Sequence, residues 1–313
     1  MGYRKFKLVN SLDQTYELTD QNYKQFLNNP TGLGYSKDLE GVRVGNRFKV
    51  VKRQYDLPSP RGELVFYDEA NEDKYDAYAN FVQFAAHYPL RLYYYAPTNN
   101  GTEEEANSMY LSCEVITADK SQVVYNDGTL RVPVTFRGFS FWLSGRLSQI
   151  LINKTNDPEP GNYTYPLSFP FSFGTDLLRN LQLPNNGSMV TPVVYNITGR
   201  CVNPYIRFFD KKVVNGVVSY VEYAASKIIG TYDTVYVNAN DNEQNIVLTY
   251  DGATISNPAV KQDLSLANVD DEENEFYLTF LKIKPGTTYA TITFDNEFVG
   301  TIDLNWRDEF VSI

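Results

Sequence analysis

Thr301-Ile302-Asp303-Leu304-Asn305-Trp306 alternates apolar and polar side chains with a period of two, the signature of a strand with one face on a core and the other in water. Runs of the same kind precede it at 177–183, 193–198, 205–208, 231–237, 246–250, 276–280 and 288–294. Val213 and Val214 face Val217 and Val218 about Asn215-Gly216, a tight hairpin signal. No amphipathic periodicity interrupts the series. Many short strands separated by Gly, Asn and Asp turns describe a β-sandwich of jelly-roll or lectin-like type.

Upstream, residues 153–170 hold Pro158, Pro160, Pro166 and Pro170 among Asn, Thr and Tyr, which reads as an extended connector. The boundary therefore falls near 155, with one domain over 1–155 and a second over 156–313. A length of 313 residues agrees with two domains of roughly 150 each.

In the first half, Phe6 and Leu8 alternate with Lys5 and Lys7 as a strand. Thr19-Asp20 then stands as an N-cap for a short helix over 21–29, which Pro30 ends. Asn29-Pro30-Thr31-Gly32-Leu33-Gly34-Tyr35 is a constrained loop and lacks the spacing of a phosphate cradle. Two β-like runs, 47–52 and 63–67, flank the turn-rich stretch 56–62 and predict a hairpin with a long tip.

One strong helix follows, with Tyr75, Tyr78, Ala79, Val82 and Ala86 on one face, acidic Asp73 and Asp76 at its start and Pro89 beyond its end. Strands resume at 90–95 and 109–117 around a polar, acidic loop at 98–107. The runs 123–125 and 130–136 flank the turn Asn126-Asp127-Gly128. Val132, Val134 and Phe136 share a parity that Phe139 and Phe141 break, which predicts a β-bulge near Gly138.

The chain holds 25 Tyr and 19 Phe but only 2 Cys and 1 His, so zinc sites built from several His or Cys cannot be assembled within it. His87 falls in the last turn of the helix, where it reads as a capping or packing residue. Cys113 and Cys201 lie in apolar strands and read as buried, unpaired thiols that match no nucleophile motif. The run Asp270-Asp271-Glu272-Glu273-Asn274-Glu275 lacks the alternation and glycine of a calcium loop.

A net charge of −10 argues against sequence-specific nucleic-acid binding, yet an acidic wall suits a passage that DNA must slide through without sticking. The start Met1-Gly2-Tyr3-Arg4-Lys5-Phe6 leads into no apolar signal region, and no run approaches the ~18 residues of a membrane span. Synthesis in a cytoplasm and no membrane insertion are therefore expected. No catalytic constellation and no cofactor are indicated. Binding of saccharides by aromatic faces remains a second reading, from a carbohydrate-binding β-sandwich that contacts cell-surface sugar.

The order of segments resembles the distal tail proteins (Dit) of siphophages that infect Gram-positive bacteria. The likeness rests on Phe6-Lys7-Leu8-Val9, on Pro30-Thr31-Gly32-Leu33-Gly34, on the helix over 75–88 with its following strand, on Leu111-Ser112-Cys113-Glu114-Val115, and on Phe139-Ser140-Phe141-Trp142. In the second half it continues in Tyr195-Asn196-Ile197-Thr198-Gly199-Arg200-Cys201-Val202-Asn203-Pro204, in residues 242–248 and in residues 280–286, which are similar to that family's galectin-like C-terminal domain.

The resemblance implies a mainly β, two-domain structural protein with no catalysis. Its N-terminal β-sandwich or barrel-like domain, with one α-helix, would form a homohexameric ring at the tail tip or baseplate of the virion, and the C-terminal jelly-roll domain would project outward. Implied partners are the tail tube protein, the tail-associated lysin or tail-fibre hub, the tape measure protein and a receptor-binding protein, with a host cell-wall saccharide as a further candidate. Gly32, Leu33, Gly34, Tyr35, Phe48, Val50 and Val51 are the expected subunit interface. Val213, Val214, Asn215, Gly216, Val217 and Val218 are the expected adhesin-binding arm.

Overall fold

Strand alternation organises nearly everything that the computed structural model describes, namely residues 5–19, 25–67, 73–96, 108–120, 128–154, 178–240, 244–256, 276–278 and 280–313. The chain divides into two units, residues 1–146 with 309–313, and residues 147–308. The turn residues Asn126-Asp127, the loop at 98–107, most of the proline-rich connector and the acidic run at 270–275 lie outside the described residues.

Unit 1 contains β1 (Lys5–Val9), β2 (Thr15–Glu17), β3 (Gln25–Thr31), β4 (Lys37–Val44), β5 (Arg47–Tyr55), β6 (Arg61–Phe66), α1 (Lys74–Ala85), β7 (Leu90–Tyr95), β8 (Ser108–Ala118), β9 (Leu130–Gly138) and β10 (Trp142–Ser144). Its main sheet runs β2-β1-β7-β8-β9-β6-β3, with β10 pairing to β8. Every second residue enters one core: Phe6 and Leu8, Leu90 and Leu92, Leu111 and Cys113, Leu64 and Phe66, and Leu130, Val132, Val134 and Phe136. Helix α1 covers that face with Phe81 and Phe84, and the Phe81 ring stands 5.4 Å from Tyr16. The side chain of Asp73 caps the helix by accepting from Tyr75 N at 3.1 Å.

The structure corrects four sequence expectations here. Residues 25–31 form strand β3 rather than the end of a helix over 21–29. Their pairing with β6 (Phe26↔Val65, Leu27↔Leu64) buries Leu27, and Pro30 is tolerated because it sits at an irregularity on an edge strand. The run 47–52 does not pair with 63–67: β5 pairs with β4 about Gly45-Asn46, while β6 lies between β3 and β9.

The helix buries Phe81 and Phe84, with Ala77, Tyr78 and Ala85 beside them, and leaves Val82 outside, because the large rings win the core over the smaller stripe. Finally, the parity of β9 holds through Gly138, and the sheet's irregularity lies instead on β8 between Val115 and Thr117, where Ile116 is exposed.

Unit 2 contains β11 (Ser148–Lys154), β12 (Leu178–Asn185), β13 (Thr191–Val202), β14 (Tyr205–Val214), β15 (Val217–Ile228), β16 (Thr231–Asn238), β17 (Asn245–Tyr250), β18 (Ala253–Ser256), β19 (Phe276–Leu278), β20 (Lys282–Ile283), β21 (Gly286–Thr293) and β22 (Gly300–Trp306). One sheet runs β11-β22-β13-β16-β17-β18 and the other β12-β21-β14-β15-β19. Both feed one core, in which Ile302, Leu304, Val235 and Ile197 meet Ile206, Phe208 and Ile292, a β-sandwich. The fully buried Tyr195 hydroxyl and Ser226 Oγ share a hydrogen bond of 2.7 Å, which removes the cost of an unpaired polar group between the layers.

Ser148–Lys154 precede the expected boundary at 155, yet β11 pairs along its whole length with β22 and belongs to unit 2. At the other end the chain returns to unit 1. There β23 (Glu309–Phe310) pairs with β10, with Trp142 opposite Phe310, and Ile313 N donates to Leu33 O at 3.3 Å. Trp142 is fully buried. Removal of residues 309–313 is expected to expose it. In a Trp306→Phe background, fluorescence emission should shift to the red and unit 1 should unfold earlier in a denaturant titration, while unit 2 is unchanged.

Candidate functional site

The sequence-predicted interface residues converge on one projecting element. Gly32, at φ +70°, turns the chain after β3, and a Cβ there would collide with the Ser59 carbonyl oxygen. Leu33 tucks into the core of unit 1, so the loop offers Gly34 and Tyr35 outward. The Tyr35 ring stands edge-on to Tyr55 at 5.8 Å, and Lys37 Nζ lies 4.8 Å from the Tyr55 ring centre. These three residues make the root of a two-stranded sheet, β4–β5, that pairs with no other strand.

Residue by residue, β4 is exposed over its whole length. The register puts Val42 and Val44 on one face and Leu39, Phe48 and Val50 on the other, while Val51 occupies the bulge opposite Glu40 and Gly41. Phe48 is 59% exposed and Val51 69%. Such side chains are large and apolar, and within unit 1 no layer covers them. By sequence the arm carries six basic residues (Lys37, Arg43, Arg47, Lys49, Lys52, Arg53) against Asp38 and Glu40, the opposite sign to the chain's net −10.

Unit 2 repeats the device. Beyond Asp210 the β14–β15 hairpin leaves the sandwich, and Lys211–Tyr220 are exposed on both strands. Asn215 at φ +51° and Gly216 at +78° form its two-residue turn. Val213 and Val214 pair directly with Val218 and Val217, so four valines crowd the tip. The Tyr220 ring meets Tyr289 edge-on at 5.1 Å at the root.

Residues 5–139 match the family model of the distal tail protein N-terminal domain. That match places the chain among the distal tail proteins. Solved structures are similar over the whole length. A chain of the phage P2 baseplate in its activated conformation with Ca is 14% identical, with 99% of this chain and 100% of that one covered at a TM-score of 0.54. The SPP1 Dit protein, described as a paradigm of the hub adsorption apparatus in Gram-positive infecting phages, is 10% identical, with 97% and 99% covered at a TM-score of 0.57. No curated protein matches.

As a distal tail protein the chain is a structural component of a phage tail. Among its described residues no group of three His, Cys, Asp or Glu side chains stands at metal-ligand spacing, and no helix is long and apolar enough to cross a membrane. Cys113 and Cys201 are free and buried. Burial pushes the Cys113 thiol up to about 12 and the Cys201 thiol up to about 11, so both stay protonated at neutral pH.

An unfolded cysteine ionises near pH 8.5. Between that value and the raised native ones the unfolded state holds fewer protons, so stability falls as pH rises through this window. At pH 8 a chromogenic disulfide reagent is expected to leave both thiols of the distal tail protein untouched until denaturant unfolds their unit. Rapid labelling of the native protein would contradict this burial.

Proposed function

We propose that this distal tail protein is the structural hub of a siphophage tail tip. Six copies close into a ring through which DNA passes, joining the tail tube to the tail-associated lysin or tail-fibre hub and the adhesion device. The observation that carries this reading is the β4–β5 arm. A lone two-stranded ribbon is marginal in water, and exposed apolar side chains of this density mark an interaction surface. A closed cyclic assembly gives every such arm a neighbour and leaves no free end. Similarity in fold to a baseplate chain and to a hub protein supports the same reading.

In this ring Tyr35, Phe48, Val50 and Val51 contact the neighbouring subunit, while Gly32, Leu33 and Gly34 set the direction in which the arm departs. The arm's basic side chains are attracted to the acidic remainder of the next copy, which steers assembly and fixes its register. Acidic groups along the lumen keep DNA from adhering, and the tape measure protein meets the ring from the tube side. The tip of β14–β15, with Val213, Val214, Val217 and Val218 about Asn215-Gly216, holds a receptor-binding protein by apolar and edge-strand contact. The protein is made in the host cytoplasm and ends in the virion baseplate.

Native mass spectrometry of the purified protein, alone or mixed with the tail tube protein, is expected to give six times the mass of one chain. Phe48→Asp with Val51→Asp should yield single chains whose unfolding free energy stays within about 0.5 kcal/mol of the parent, because both side chains are exposed in the isolated chain. Replacing residues 211–220 by a two-residue turn should keep the ring and abolish co-purification of the receptor-binding protein. A solitary wild-type chain at high concentration and in the presence of its tail neighbours overturns the ring.

A further inference from the structure

The outer face of the β14 sheet carries a polar and aromatic cluster that none of the assembly contacts above uses. Ile206 and Phe208 point into the sandwich core, so Tyr205, Arg207 and Phe209 point away from it. The register extends this set sideways. Arg207 lies between Thr291 on β21 and Ala225 on β15, Phe209 between Tyr289 and Glu222, and Tyr205 between Thr293 and Lys227. Short side chains thus flank Arg207 on both sides, while rings stand in the rows before and behind it. The result is a trough across three strands, with a guanidinium on its floor and aromatic walls.

Arg207 is held in place but not satisfied. Its guanidinium carbon lies 5.0 Å from the centre of the Tyr205 ring and 5.7 Å from that of Phe209, contacts that orient the planar group without using its N–H donors. Its Nε is shielded from solvent and has no hydrogen-bond partner among the described residues. Native proteins leave few such donors unpaired, because each costs free energy unless a partner arrives. Across the trough, burial pushes the Glu222 carboxyl up from its ordinary value, and the Arg207 guanidinium pulls it down by less. The two charges influence one another without neutralising each other.

We propose that this trough binds a neutral saccharide, with Arg207 donating to a pair of adjacent hydroxyl oxygens, Glu222 accepting from a hydroxyl, and the Tyr205 and Tyr289 rings packing against the sugar's C–H faces. The chemistry favours a neutral polyol over an anion. A carboxylate or phosphate seated on Arg207 would lie close to the Glu222 charge and leave that acceptor unused, whereas a hydroxyl both donates and accepts. Thr291 adds a hydroxyl to the floor, and aromatic walls suit the apolar face of a pyranose ring. The site belongs to unit 2 alone and does not rest on the hexameric ring.

The test uses the full-length assembled protein. Saturation-transfer NMR with methyl galactoside, methyl glucoside and N-acetylglucosamine, together with an immobilised panel of neutral and acidic oligosaccharides, is expected to show binding of neutral members. Arg207→Leu and Glu222→Gln should each weaken it about tenfold, the usual scale for losing a charge-assisted hydrogen bond. Arg207→Lys should not restore it, since an ammonium lacks the planar fork. Thermal unfolding of each variant controls for folding.

Three outcomes would overturn the assignment. One is no binding of any neutral sugar by the wild-type protein. Another is binding that the folded variants leave unchanged. The third is preference for acidic oligosaccharides or inorganic phosphate that Glu222→Gln strengthens, which would make the trough an anion site. Loss of a tail protein from Arg207→Leu with no sugar bound would make it a protein contact instead, and also overturns the proposal.

Discussion

A two-stranded ribbon satisfies its inner backbone groups by pairing but has no second layer on which to bury either face, and this chain contains two of them. The β4–β5 arm and the outer half of β14–β15 both carry valines, and β4–β5 adds Leu39 and Phe48, where a solitary globular protein would place charges. Everything else in the two units is conventional by comparison. Inward positions are filled, the buried Tyr195 hydroxyl is paired with Ser226, and helix α1 closes the open face of the first sheet. The arms are therefore features that only a partner explains.

Each arm is anchored by a core that does not need it. At the first, Leu33 sits in the unit 1 core and Ile313 N holds its carbonyl, so the loop leaves the sheet from a fixed point. At the second, Phe208 is buried while Lys211, three residues along the same strand, is exposed. The strand passes from sandwich to arm without a break in its pairing with β15. Rigid roots reduce the conformational entropy that a partner must overcome to order the tip. This is how a fold made of local pairings acquires surfaces built for assembly.

Much of this was legible in the sequence because strand signals are local. The alternation of 301–306, the Asn215-Gly216 turn and the acidic start of α1 all appear where the pattern places them. What escaped depends on distant partners. Residues 25–29 look helical until β6 supplies the ladder that makes them a strand. In the first arm, Gly45-Asn46 between Val42-Arg43-Val44 and Arg47-Phe48-Lys49 was a hairpin signal in plain view, masked by the more conspicuous prolines at 58 and 60. The Arg207 trough carries no motif at all, because its members come from three strands and meet only through register.

The return of residues 309–313 to the first unit makes unit 2 an insertion within unit 1 rather than a successor to it. On the ribosome, synthesis of the first unit's last strand waits until the whole intervening sandwich has been translated. Trp142 therefore lacks its opposing strand residue, Phe310, throughout that interval, and the loop at Leu33 is not yet held by Ile313. A nascent chain is thus withheld from premature association with its siblings, and maturation of the arm's root is timed to the release of a finished polypeptide.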